Sequence, residues 1–165
     1  MFDYFRPHRV MKRLVEVDCD ELVARGIRGV LLDLDNTLTT WNSTVIAPEV
    51  ERWIGHLRQT GLAACIVSNA ATTRRVRPVA ERLGLPWVTR AIKPLHRGFL
   101  QGMRLMGTTP DTTVMIGDQL FTDIYGANRL GLQTILVDPV SSREPFHTSI
   151  LQRPLERLLG RHPKS

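Results

Sequence analysis

Residues 27–39 read IRGVLLDLDNTLT, an unbroken apolar run that ends in two aspartates one residue apart. Apolar residues without alternation mark a strand buried on both faces, the kind found in parallel sheets with helices on either side. Two like charges at the end of such a strand require a reason. By itself the stretch permits three: solvated turn residues, ligands for a cation, or a reacting pair.

The flanking sequence alternates helical and strand patterns. DCDELVARG (18–26) predicts a short helix with Asp18 as N-cap, Glu21 three residues on and Gly26 as its stop. APEVERWIGHLRQTG (47–61) predicts a longer one, with Pro48 in the first turn and Gly61 at the end. Its Val50, Trp53, Ile54 and Leu57 recur at i, i+3, i+4 and i+7, which assigns Trp53 to the core. LAACIV (62–67) reads as a second buried strand and ends at Ser68-Asn69. In TTRRVRPVAERLG (72–84) Val76, Val79, Ala80 and Leu83 share one face, and Pro78 calls for a kink or a helix start near Arg75. PWVTRAI (86–92) is a third strand leading to Lys93-Pro94, followed by a helix over 96–106. TTVMIG (112–117) is a fourth strand that stops at Asp118; a helix over 121–130 and the strand QTILV (133–137) complete the pattern.

This alternation predicts an α/β fold, a three-layer Rossmann-like parallel sheet with helices on both faces, in a single domain over 1–165. Ligands of open parallel sheets bind beyond the carboxyl ends of the strands. Those ends here carry Asp33 and Asp35, Ser68 and Asn69, Lys93, and Asp118.

Composition sets the outer bounds. The 165 residues are 42% hydrophobic and 23% charged, as in a globular chain. No apolar stretch approaches the roughly 20 residues that span a bilayer. The N-terminal MFDYFRPHRVMKRL lacks a hydrophobic signal core, so no secretory leader is expected. Cys19 and Cys65 suggest no disulfide framework, and a reducing cytoplasm fits. The net charge is +6 and the pI near 10.1, yet the basic residues are dispersed and no zinc-finger or RNP-like motif accompanies them. Nucleic acid is therefore not an expected partner.

Asp33, Asp35, Asp118 and Asp123 are expected to crowd one crevice. Two unit charges about 4 Å apart interact by roughly 4 kcal/mol at an effective dielectric near 20. Such a cluster calls for protons or a cation, and oxygen donors without His or Cys favour Mg²⁺. A calcium loop of the EF-hand type is excluded, because Leu38 stands where glycine is needed and Thr44 where the bidentate glutamate belongs. With a phosphoryl group bound, Mg²⁺ and Lys93 would neutralise its oxygens while Ser68 hydrogen-bonds them. One aspartate can then attack phosphorus while the other moves the proton. Only three of the 22 basic residues are lysines, which favours a role for Lys93 that needs a compact ammonium.

DLDNTL, Ser68 after a buried strand, Lys93-Pro94 and GDQLFTD together resemble the four motifs of the haloacid dehalogenase (HAD) superfamily, in their usual order. Within it, GIRGVLLDLDNTLTTW, IVSNA, KPL and IGDQLFTDIYGANRLG resemble the subfamily IIIA phosphatases of the YqeG and phosphatidylglycerophosphate phosphatase branch. The resemblance spans about Asp18 to Val140. It implies Asp33 as nucleophile and Asp35 as general acid/base, with Ser68 and Lys93 on the phosphate. It further implies Mg²⁺ on the Asp33 carboxylate, the Asp35 main-chain carbonyl and Asp118. Asp123 becomes a further ligand or an anchor behind them, with Asn69 also on the phosphate and Thr37 supporting the site. Asn42 departs from the branch, where an acidic residue is common after Trp41.

The chain between DLDNTL and the second strand, and from Ala70 to Lys93, is too short to hold the cap domain by which other members enclose small substrates. An open site suits a large or surface-bound phosphomonoester, such as a lipid headgroup or a phosphoprotein. A phospho-accepting receiver module is the rival reading, disfavoured because Asp35 would hydrolyse its product; a non-catalytic adaptor is a second. Arg74, Arg75, Arg97 and Arg129 lie near predicted strand ends, either holding an anionic headgroup or on solvated helix faces. HRVMKRLVEV places Val10, Leu14 and Val17 on one helical face. That segment, within residues 1–17, is expected to be an amphipathic helix, covering the domain edge or resting on an anionic inner-membrane surface with Phe2, Tyr4 and Phe5. SILQRPLERLLG (149–160) invites the edge-covering reading.

Overall fold

The computed structural model describes residues 2–140, so the C-terminal SILQRPLERLLG lies outside the described residues. Six parallel strands are β1 (Arg9–Met11), β2 (Gly29–Leu32), β3 (Ala63–Val67), β4 (Trp87–Val88), β5 (Thr113–Gly117) and β6 (Gln133–Val137). They form one sheet in the order β1-β6-β5-β2-β3-β4. The chain runs outward from β2 to β3 and β4, then returns to β5 on the other side of β2. The strand order therefore reverses between β2 and β5, the place where open parallel sheets form a binding crevice.

Alternate residues of the central strands serve different layers. Val30, Leu32, Ala64, Ile66, Val114 and Ile116 join one core with Leu22 of α1 (Cys19–Ala24), Trp53 and Ile54 of α2 (Pro48–Gln59) and Val76 and Val79 of α3 (Thr73–Leu83). Leu31, Cys65, Val67 and Met115 join another with Phe99 and Met103 of α4 (His96–Met106) and Ala127 of α5 (Gly126–Asn128). Helices on both faces make the three layers. The unbroken apolar runs follow from this, since each face of the sheet is covered.

The helix starts obey the local signals. Asp18 accepts a hydrogen bond from the Glu21 amide at 3.1 Å, and Pro48 opens α2, where a missing N–H costs nothing. Trp53 is buried and its indole donates to the Val17 carbonyl at 2.8 Å, so it is a core residue with a satisfied polar end. Both cysteines are buried free thiols, and burial pushes Cys65 up to about 12.

Three elements depart from expectation. Helix α3 begins at Thr73 and carries Pro78 inside it. The carbonyl that loses its partner is that of exposed Arg74. Burial of Val76, Val79 and Leu83, at about 1.5–3 kcal/mol each, outweighs the roughly 3 kcal/mol cost of the proline. The strand expected over 86–92 is only the two-residue β4. Beyond it the amides of Arg90, Ala91 and Lys93 turn to Ala70, Ser68 and Asn69 after β3, which forces Arg90 and Ile92 to positive φ (49° and 54°). A β-branched residue there is strained, and the strain lies immediately before Lys93.

The third departure is at the N-terminus, where no amphipathic helix forms. Arg9–Met11 adds an edge strand to β6, Leu14–Glu16 makes one tight turn, and Val10 is exposed while Leu14 and Val17 are buried. Strand pairing there satisfies backbone groups that a helix on the sheet's edge would leave open. No described helix is long and apolar enough to cross a membrane. Between β2 and α2 only a loop intervenes, and between β3 and Lys93 only α3 and β4, so among the described residues no cap stands over the carboxyl edge.

Candidate active site

The apolar strand β2 delivers Asp33 and Asp35 to the crevice because Leu34 between them points into the core. The Leu34 carbonyl then accepts from the amides of Thr37, Leu38 and Thr39 at 3.3, 3.0 and 3.2 Å, and Asn36 turns at φ 60°. This tight loop fixes the direction of both aspartates. Asparagine suits it, being one of the few side chains tolerant of that backbone region.

Lys93 comes from the strained loop after β4 and is 5% exposed. Its ammonium donates to Asp33 Oδ1 at 2.6 Å and to Asp123 Oδ1 at 2.7 Å. The Asn69 side chain forms a closed pair with the Lys93 main chain: the Lys93 amide donates to Asn69 Oδ1 at 2.7 Å, and Asn69 Nδ2 donates to the Lys93 carbonyl at 3.1 Å. This pair fixes the position of Lys93 and leaves the second Nδ2 hydrogen of Asn69 able to donate. Ser68 is buried, and its Oγ accepts from the Ala70 amide at 3.1 Å, which leaves its hydroxyl proton to donate.

Asp118 and Asp123 follow β5. Asp123 is fully buried, its Oδ2 accepting from the Gln119 amide at 3.1 Å. Carboxylate oxygens of Asp33, Asp118 and Asp123 lie within 4.8 Å of one another. Asp33, Asp118 and Asp123 gather in the crevice as expected, while the Asp35 carboxylate pairs with Arg75. Arg75 Nη1 donates to Asp35 Oδ1, and Nη2 to Asp35 Oδ2 at 3.1 Å. Of the four arginines singled out above, Arg75 pairs with a motif residue; Arg74 and Arg97 are exposed, and Arg129 lies over the Tyr125 ring.

Electrostatics accord with a cation site. Burial, and to a lesser degree the neighbouring Asp123 charge, pushes Asp33 up to about 7 despite Lys93. Burial alone disfavours the Lys93 ammonium, yet Asp123 and Asp33 hold its pKa above the ordinary lysine value. Three carboxylates and one ammonium leave an excess of negative charge out of water. A hard divalent cation fits this all-oxygen set, and the spacing needs little closing for metal–oxygen bonds of about 2.1 Å. Buried Thr37 Oγ1 and Thr39 Oγ1 lack hydrogen-bond partners within the protein, leaving polar capacity beside the DxD loop.

Gly117 is a requirement that sequence patterns did not single out as part of the site. A Cβ there would stand 2.2 Å from Asp123 Oδ2 and 2.5 Å from its Cγ. Gly117→Ala is therefore expected to displace Asp123 and break its bond to Lys93. The measurable result is loss of the thermal stabilisation that divalent cation gives the parent protein, with a fall in turnover of about 10²-fold.

Carboxylates around a buried lysine at the carboxyl edge of a parallel sheet suit phosphoryl-transfer chemistry. Residues 91–145 match the HAD-hydrolase-like family model, and residues 3–84 match that of the mitochondrial PGP phosphatases. The probable phosphatase YqeG of Bacillus subtilis is 36% identical over 157 residues, covering 95% of this chain and 91% of that protein. The chloroplastic/mitochondrial phosphatidylglycerophosphate phosphatase 1 of Arabidopsis thaliana is 30% identical over 85% of this chain, which spans 43% of the plant protein. A solved structure of an uncharacterized protein from Listeria monocytogenes serotype 4b shares the fold, with a TM-score of 0.59, 22% identity, and coverage of 72% of this chain and 85% of that one. The chain belongs to the HAD superfamily, in the branch of YqeG and the phosphatidylglycerophosphate phosphatases, and is a phosphoric monoester hydrolase.

Proposed function

We propose that the chain hydrolyses a phosphomonoester through a phospho-aspartate on Asp33, with a phosphatidylglycerophosphate-type lipid as its substrate. The observation that carries this reading is the buried Lys93, paired to Asp33 and Asp123 inside a cluster of three carboxylates. Asp33, Asp118 and Asp123 carboxylates and the Asp35 main-chain carbonyl would hold Mg²⁺, which when bound supplies neutralisation of the phosphoryl oxygens.

The residues divide the remaining work. An Asp33 carboxylate oxygen attacks phosphorus; as that bond forms, the bond to the leaving oxygen breaks and Asp35 gives that oxygen its proton. Asp35 then takes a proton from the water that attacks the aspartyl-phosphate, which releases inorganic phosphate and restores Asp33. The Lys93 ammonium and Ser68 hydroxyl bind the phosphoryl oxygens throughout, and Asn69 holds Lys93 in register.

Two features favour a lipid. The first is kinship with the plant phosphatidylglycerophosphate phosphatase. The second is the carboxyl edge, which carries no cap among the described residues; the segments after its strands expose Val45, Ile92, Leu95, Phe121 and Val140, and also Arg74, Arg90 and Arg97. Apolar side chains among arginines suit peripheral contact with an anionic membrane surface, here from the cytoplasmic side. With Mg²⁺ supplied, phosphate release from phosphatidylglycerophosphate in mixed micelles is expected to exceed that from soluble sugar and nucleotide monophosphates by about tenfold or more in kcat/KM. Turnover of p-nitrophenyl phosphate with none of the lipid would remove the lipid and leave the phosphatase.

A further inference from the structure

We infer that Arg75 is a substrate-recognition residue, selecting phosphomonoesters whose leaving alcohol carries a second anionic group. The inference rests on the assignment of Asp35 as general acid/base. Arg75 lies in the first turn of α3 and is half-buried, with its guanidinium forked across both carboxylate oxygens of Asp35. The ring of half-buried Trp41 lies beside it, with the centroid 5.8 Å from the guanidinium carbon. Trp41 follows the DxD loop, so the cation is held between the first motif and the helix after the second.

Position decides the role. Asp35 must reach the leaving oxygen to give it a proton. A group bonded to the other side of the same carboxylate then stands within about 5–7 Å of that oxygen, two hydrogen-bond lengths and one carboxylate away. That is two to four bonds along the leaving alcohol. When Asp35 turns to the leaving oxygen, one or both guanidinium N–H groups lose their acceptor in a half-buried place. A second anion on the alcohol supplies the replacement in the bidentate geometry that arginine makes with phosphate and carboxylate. An alcohol without that anion leaves the donors unpaired, and such sites reject ligands that lack the matching group. The phosphodiester of a lipid headgroup and the second phosphate of a free bisphosphate present the same chemistry.

The test compares the Mg²⁺-loaded parent protein with Arg75→Ala and Arg75→Lys on three substrates. These are p-nitrophenyl phosphate, soluble glycerol 1,3-bisphosphate, and phosphatidylglycerophosphate in mixed micelles. In Arg75→Ala, kcat/KM for the doubly anionic substrates relative to p-nitrophenyl phosphate is expected to fall at least about tenfold, chiefly through KM. Arg75→Lys recovers part of it, because an ammonium supplies charge without the fork. A fall on both substrates assigns the shared anion; a fall confined to the micelle or to the bisphosphate assigns that source. Equal losses on all three substrates in both variants, or an unchanged ratio, would overturn the proposal by leaving Arg75 a partner of Asp35 alone. The parent protein's turnover of p-nitrophenyl phosphate judges the phosphatase reading separately, since it does not involve this ratio. Arg75→Lys, which keeps the cation beside Asp35, keeps the comparison valid if the alanine variant does not fold.

Discussion

Asp33→Asn is expected to lower turnover of p-nitrophenyl phosphate by about four orders of magnitude or more, while the protein stays folded. The amide keeps the shape of the carboxylate but cannot attack phosphorus. Retained turnover would refute a phospho-aspartate at this position. Stability gives a second readout with its own sign. In protein without divalent cation, Asp33 is pushed up to about 7 from 3.8, chiefly by burial. A raised carboxylate favours folding in its protonated form, so its contribution is complete below the ordinary carboxylate range and is lost as pH rises toward 7. The asparagine has no such loss. The difference in Tm between variant and parent, measured in chelator, is therefore expected to shift in favour of Asp33→Asn from pH 4 to pH 8. A constant difference would show that Asp33 does not titrate in this window.

Lys93→Met carries the largest expected cost to the fold. The ammonium is buried and answers two carboxylates, at 2.6 and 2.7 Å, and methionine of similar length leaves those charges uncompensated. Removing one member of a buried charge network costs about 3–5 kcal/mol, a fall in Tm of roughly 10 °C for a chain this long. Activity should fall by about 10²–10³-fold, the loss typical of one electrostatic contact to a developing oxyanion. Thermal denaturation with and without Mg²⁺ checks the first number, since a cation should restore more stability to Lys93→Met than to the parent. Equal Tm values for the two proteins would exclude the network.

Much of this site was legible because its parts follow strands that announce themselves. Buried strands read as apolar runs, so the residues that end them are known to within a position or two, and parallel topology brings those ends together. Asp33, Ser68 and Asp118 are legible as candidates in this way, and Lys93 stands out as one of three lysines. The short β4 was less legible. PWVTRAI has strand-forming residues throughout, yet hydrogen bonds to Ser68, Asn69 and Ala70 pull its second half into a strained loop. The N-terminal segment misled for a related reason. Val10, Leu14 and Val17 satisfy a helical period, but a free edge on β6 offers Arg9–Met11 a ladder of backbone bonds that local periodicity does not register.

By itself, then, the sequence determined the alternation of elements, the parallel sheet, the absence of room for a cap and the identity of the charged residues at the carboxyl edge. These are properties of apolar spacing and chain length, which act locally. Only the tertiary structure decided how the charges pair. It turned Asp35 to Arg75, 40 residues away, drew Asp123 against Lys93, and bonded Asn69 to the lysine's main chain. Pairing energies depend on distance and burial, and both arise when separate strand ends converge on one crevice.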